Sequence, residues 1–135
     1  MGVQTDITLA WGDGTYRFHL AIPQLKELQE KCASGPAEVL QRLVTGRARV
    51  EDAQETVRLG LVGGGTAPPE AVRLCSLYVD ARPLVESIGV ATLVLGAALM
   101  GHDPEAAQGN GAAARPKKAR AKPSSTSRRS KRAPS

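Results

Sequence analysis

The sequence predicts an α+β fold, mainly helical: an N-terminal β-hairpin packed on a bundle of four to five short helices, followed by a disordered C-terminal tail. Three observations predict it. Between Thr5 and Ile22 apolar and polar residues alternate on both sides of a Gly-Asp-Gly turn. From Pro23 to Gly101 the apolar period lengthens to that of a helix, and Pro and Gly cut it into segments. After Asp103 large apolar residues vanish and basic ones accumulate. The 135 residues suggest one domain, residues 1–103, with residues 104–135 as the tail.

The hairpin comes first. Ile7, Leu9 and Trp11 alternate with Asp6, Thr8 and Ala10. After the turn, Tyr16, Phe18, Leu20 and Ile22 share one face, and Thr15, Arg17, His19 and Ala21 the other. Alternation on both sides of an Asp-Gly step is a strong short-range hairpin signal. A lone hairpin is marginal in water, so its apolar face needs the helices as a cover.

Pro23 starts helix one, with Leu25, Leu28 and Cys32 on its inner line. Proline suits the first turn because the missing N–H has no helical partner there. Ser34-Gly35 ends this helix and Pro36 opens a second, with Val39, Leu40, Leu43 and Val44 as its stripe and Gly46 as its stop. Helix three runs from about Glu51 to about Leu61, with Ala53, Val57 and Leu61 on one line. Glu51, Asp52 and Glu55 sit in its first turns, where the helix dipole favours negative charge. Pro68 and Pro69 enter helix four, which carries Val72, Cys75 and Val79 on one line, with Leu74 and Tyr78 beside it. Arg82-Pro83 opens helix five, Leu84 to about Met100. Helix five is apolar almost all round, so it is expected at the centre of the bundle.

Charge divides the chain. Residues 1–103 carry nine Lys/Arg against twelve Asp/Glu, while residues 104–135 carry nine against Glu105 alone. The basic pI therefore belongs to the tail, and the body is mildly acidic. With no large apolar residue, the tail cannot bury enough surface to offset chain entropy. Cys32 and Cys75 are expected as buried, reduced thiols, which fits a cytoplasmic protein. MGVQTDITLAW lacks the basic and apolar regions of a signal peptide. The longest apolar run, Ile88 to Gly101, has 14 residues and is short for a membrane span.

Candidate sites are few. Gly63, Gly64 and Gly65 are not a phosphate cradle, because a helix precedes them and Thr66-Ala67-Pro68 follows where Gly-Lys-Ser/Thr is needed. They read as a helix stop and a hinge. His19 and His102 have no Ser, Cys or Asp partner at catalytic spacing, and no His, Cys or carboxylate spacing matches a metal motif. No cofactor is implied and no enzyme is expected. In the tail, Lys117, Lys118, Arg120, Lys122, Arg128, Arg129, Lys131 and Arg132 are candidates to contact a polyanion or an acidic partner. The absence of interleaved aromatics gives base stacking no support.

A family resemblance rests on three motifs. The hairpin is followed by Ile22-Pro23-Gln24-Leu25-Lys26-Glu27-Leu28. VEDAQETVRLGLVGGG then leads to a Pro/Glu-started helix. Arg82-Pro83-Leu84 leads to the apolar helix ending Ala97-Ala98-Leu99-Met100-Gly101. Together they resemble the gene transfer agent family of phage tail assembly chaperones, some descriptions of which call its members tail tube proteins. The resemblance covers about residues 3–103, and its most specific piece is Arg58 to Gly65 between two helices.

The resemblance implies non-enzymatic work in a bacterial host cytoplasm or on the virion. The implied partners are the tape measure protein and the tail tube protein of a phage-like particle. A structural tail tube component is the alternative. A nucleic-acid-associated protein acting through its basic tail is the second alternative. The tail after Pro104 departs from the family pattern.

Overall fold

The computed structural model describes residues 2–103, and its elements follow the Pro and Gly punctuation of the sequence. Strands β1 (Asp6–Trp11) and β2 (Gly14–His19) pair antiparallel, with Trp11 opposite Gly14 and Asp6 opposite His19. Helices follow as α1 (Ile22–Cys32), α2 (Pro36–Val44), α3 (Val50–Gly63), α4 (Pro68–Cys75) and α5 (Leu84–Met100). The last residues after α4, Ser76–Asp80, form a π-helical turn. All of these elements lie in one unit, Gln4–Gly101.

The hairpin forms as its alternation requires, but its turn is shifted by one residue. Gly12 and Asp13 occupy the centre, and Gly14 already pairs with Trp11. Gly12 takes φ +60°, which the first central residue of a II′ turn needs. The pairs Ile7–Phe18 and Leu9–Tyr16 stand on the inner face with Trp11. Arg17 bridges Asp6 at 2.8 Å on the outer face. Trp11 meets Tyr16, Phe18 and Tyr78 edge-on at centroid distances of 5.6, 5.7 and 5.5 Å. Such aromatic pairs add about 0.5–1.5 kcal/mol each beyond the area they bury.

The central helix is α3, not α5. α3 packs on α1, α2, α4, α5 and β2. It buries Asp52, Ala53, Thr56, Val57, Leu59, Gly60 and Leu61. A glycine in its middle makes this position possible. At Gly60 an added Cβ would lie 3.0 Å from a methyl of Val94 and 3.3 Å from the ring of Phe18. Val94 and Phe18 thus both close on the α3 backbone where Gly60 carries no side chain. Helix α5 packs with Ser87, Ala91, Val94, Leu95 and Ala97 inward. Its opposite face stays open, so its apolarity does not measure its burial.

Three other expected core residues point outward. Ile22 is exposed at the start of α1, where the chain leaves its strand and the two-residue alternation ends. Val44 ends the α2 stripe in the open, leaving Val39 and Leu43 as its buried pair. Val72 is exposed because α4 turns Ala71, Leu74 and Cys75 inward at i, i+3 and i+4. The remaining large aliphatic side chains with no exposure, among them Leu28, Leu61, Leu74 and Leu95, contribute about 1.5–3 kcal/mol each by burial.

Candidate functional site

Many ionisable groups in the described residues pair with one another or with the backbone. His19 is hydrogen-bonded to Thr5 at 3.1 Å on the outer face of the hairpin. Glu55 holds Arg58, which also reaches Glu27 at 3.2 Å. Glu70 pairs with Arg73, and Arg82 with Glu86 through two hydrogen bonds of 3.1 and 3.0 Å. The guanidinium of Arg73 holds the Glu70 carboxyl below its usual pKa. Cys32 and Cys75 are buried free thiols whose pKa values burial pushes up to about 12. Among the described residues no group of three or more His, Cys, Asp or Glu is placed to hold a metal. No helix among them is long and apolar enough to cross a membrane.

The three glycines after Val62 differ from one another. Gly63 is the last residue of α3 and Gly64 its cap. An added Cβ at Gly63 would lie 1.8 Å from the carbonyl oxygen of His19, and one at Gly64 1.9 Å from that of Arg17. The helix end therefore lies directly on the backbone of β2, with glycine Cα–H groups facing its carbonyls. Arg17 adds a hydrogen bond of 3.4 Å to the carbonyl of Gly64. Gly65 has φ +115° and nothing within 4 Å of its missing Cβ. The basic candidates Lys117, Lys118, Arg120, Lys122, Arg128, Arg129, Lys131 and Arg132, with the tail that carries them, lie outside the described residues.

One helix face left open is apolar. On α5, Val85, Leu93 and Met100 are 71%, 51% and 72% exposed. With Gly89, Thr92, Gly96 and Leu99 they form one continuous stripe, by the 3.6-residue turn of the helix. Thr92 donates its hydroxyl to the carbonyl of Ile88 at 2.7 Å, so its polar group is satisfied within the helix. Beside this stripe a cleft of about 580 Å³ opens between the hairpin turn, the π-helical turn and the first turns of α5. Trp11, Tyr78, Leu77 and Val90 wall it, with Ser87 and the Arg82–Glu86 pair completing the lining. Sequence reasoning did not single out Ser87 or the cleft. The cleft joins residues 10–12, 77–78 and 82–90, and no local pattern relates those segments.

The arrangement defines a small helical α+β module with apolar surface on its last helix and charge pairs elsewhere. A family model described as "Phage tail tube protein, GTA-gp10" matches residues 4–101, and the chain belongs to that family of phage and gene transfer agent tail proteins. Neither a curated protein nor a solved structure matches the chain.

Proposed function

We propose that the chain is a non-enzymatic tail assembly chaperone, which binds the tape measure protein and the tail tube protein while a phage-like particle is built. The observation that carries this reading is the open apolar stripe of α5, Val85 to Met100. A tape measure is a long helical protein whose apolar faces lack partners before assembly. A matching stripe covers such a face as one helix covers another. An exposed patch of this kind on a small protein marks an interaction site.

The alternative, a tube subunit, has less support. A ring grown by sheet extension needs free strand edges. The described residues hold two strands of six residues each, and the β2 carbonyls of Arg17 and His19 already lie against α3. Residues 1–103 act as the binding domain in this reading, in the host cytoplasm and in transient association with the particle. Residues 104–135 serve as a basic tail that docks on an acidic surface. Nucleic acid is the competing target for the tail. The Gly63–Gly65 break is the place where α3 and α4 change their angle when a partner docks, with the freedom at Gly65.

Mass spectrometry of purified particles tests the choice. A chaperone is absent from finished tails but co-purifies with the tape measure protein from lysates of assembling cells. A tube subunit is present at many copies per particle, and that result would overturn the proposal. Deleting residues 104–135 tests the tail: loss of DNA binding with unchanged capture of tail proteins assigns it to nucleic acid.

A further inference from the structure

Ser87 presents a polar group with no partner among the described residues. It lies on the inner side of α5 and is 1% exposed, and its Oγ makes no hydrogen bond to any of them. Its helical neighbour Thr92 shows the usual solution, donation to the carbonyl four residues back. Leaving a buried hydroxyl unpaired is destabilising, and native proteins leave few such groups. Ser87 also lines the cleft beside Trp11. The unpaired hydroxyl thus belongs to a residue that lines the unfilled cleft.

The chemistry of the walls says what fills it. Trp11, Tyr78, Leu77 and Val90 offer aromatic and aliphatic surface. The charges of Arg82 and Glu86 are spent on each other, so the mouth has no net charge to attract an ion. Two hydroxyls remain, those of Tyr78 and Ser87, each able both to donate and to accept, and that of Ser87 is the buried one. A volume of about 580 Å³ lies within the range of built binding sites. The protein's own tail cannot supply the occupant, because residues 104–135 contain no large apolar side chain.

We propose that this cleft receives a peptide segment of a tail protein, inserting a large apolar side chain between Trp11, Tyr78 and Val90 while a main-chain amide group next to it hydrogen-bonds Ser87 Oγ. The proposal rests on the chaperone reading and names where that partner is gripped. It has a signature that a structural role lacks. Removing the hydroxyl relieves the free protein and impairs the complex, so stability and affinity move in opposite directions.

The experiment uses the full chain, with the tape measure and tail tube proteins of the same gene cluster as probes. Ser87→Ala is expected to raise the melting temperature of the free protein by about a few degrees, through relieved desolvation. The same change is expected to weaken capture of one of the two probes about tenfold, the effect of one lost hydrogen bond. Val90→Glu, which puts a charge in the cleft, is expected to abolish capture. Val72→Glu, exposed on α4 and outside the cleft, is expected to leave it unchanged. Trp11 is the only tryptophan of the chain, so its emission reports filling of the cleft directly. Capture by the wild type that survives both cleft variants, with Trp11 emission unmoved, overturns the cleft and leaves the chaperone reading standing. A wild-type chain that captures neither protein overturns both.

Discussion

Arg42 grips Asp52 through two parallel hydrogen bonds, Nε to Oδ2 at 2.9 Å and Nη2 to Oδ1 at 2.7 Å. Asp52 is fully buried at the start of the central helix, and its Oδ2 also accepts the backbone N–H of Arg49 at 2.8 Å. Arg42 in turn donates to Ser34 at 2.8 Å. The pair thus joins α2, the α1–α2 link and the start of α3. Burial raises the Asp52 pKa, and the Arg42 guanidinium with the Arg49 N–H outweighs it, so the net shift is downward.

Breaking that pair from one side leaves a buried charge alone. Arg42→Met is expected to cost about 3–5 kcal/mol in urea denaturation. The double variant Arg42→Met with Asp52→Leu is expected to recover most of the loss, because neither charge then needs solvation. The depressed pKa fixes the pH dependence. The stability that Asp52 contributes is present above its ordinary value of 3.8 and is lost as pH falls below it through the folded value. Asp6, lowered chiefly by its hydrogen bond to Arg17, loses its contribution in the same direction. Wild-type stability therefore falls in the acid range, and the double variant falls less steeply.

The glycines divide by sign. Gly63→Ala and Gly64→Ala force a methyl into β2 carbonyls and are each expected to cost about 3 kcal/mol or more. Gly65→Ala meets no atom but keeps a φ of +115°, so it costs about 1–3 kcal/mol through backbone strain. Gly89→Ala, in the middle of α5 with nothing within 4 Å, is expected to stabilise by about 1 kcal/mol. Thermal or urea unfolding of the four variants checks the order. Unchanged tail assembly with Gly65→Ala would count against a hinge.

The thiols are expected to be silent in the native state. Burial holds Cys32 and Cys75 near pKa 12, so at pH 8 neither forms the reactive thiolate. A thiol-specific chromogenic reagent should find no cysteine in the folded protein and both in guanidinium chloride. Their raised values also place a loss of stability at alkaline pH, starting above the ordinary value of 9.0 and continuing as pH rises toward the folded value.

The outer stripe of α5 separates binding from folding. Leu93→Glu lies in the open stripe, so its effect on unfolding is expected within about 0.5 kcal/mol. Its effect on capture of the tape measure protein is expected to be complete loss, because a charge would enter an apolar contact. Size-exclusion chromatography of the co-expressed pair measures it.

Much of the fold could be read along the chain. Pro23, Pro36 and Pro68 mark helix starts within a residue, and Gly46 with φ +79° marks a stop. These signals are local, acting through φ and a missing N–H. What escaped is long-range. Asp52 reads as a first-turn acid favoured by the helix dipole, and nothing beside it announces Arg42, ten positions earlier on another helix. The rank of α5 was overestimated because hydropathy counts apolar residues without asking what covers them. α3 takes the centre with less apolar surface, since Ala53 and Gly60 let its neighbours come close. Ser87 stood within an apolar helix, where periodicity gives a single serine no weight.

The seating of Gly63 and Gly64 on β2 has a consequence for the gene. Every single-base change in a glycine codon that alters the residue adds a side chain, and here the added carbon meets a carbonyl oxygen within 2 Å. No neighbouring codon offers a milder intermediate. In a library of random point variants selected for folded protein, these two positions should therefore return almost nothing but synonymous changes, while Gly65 beside them, with open space at its Cβ, should tolerate more.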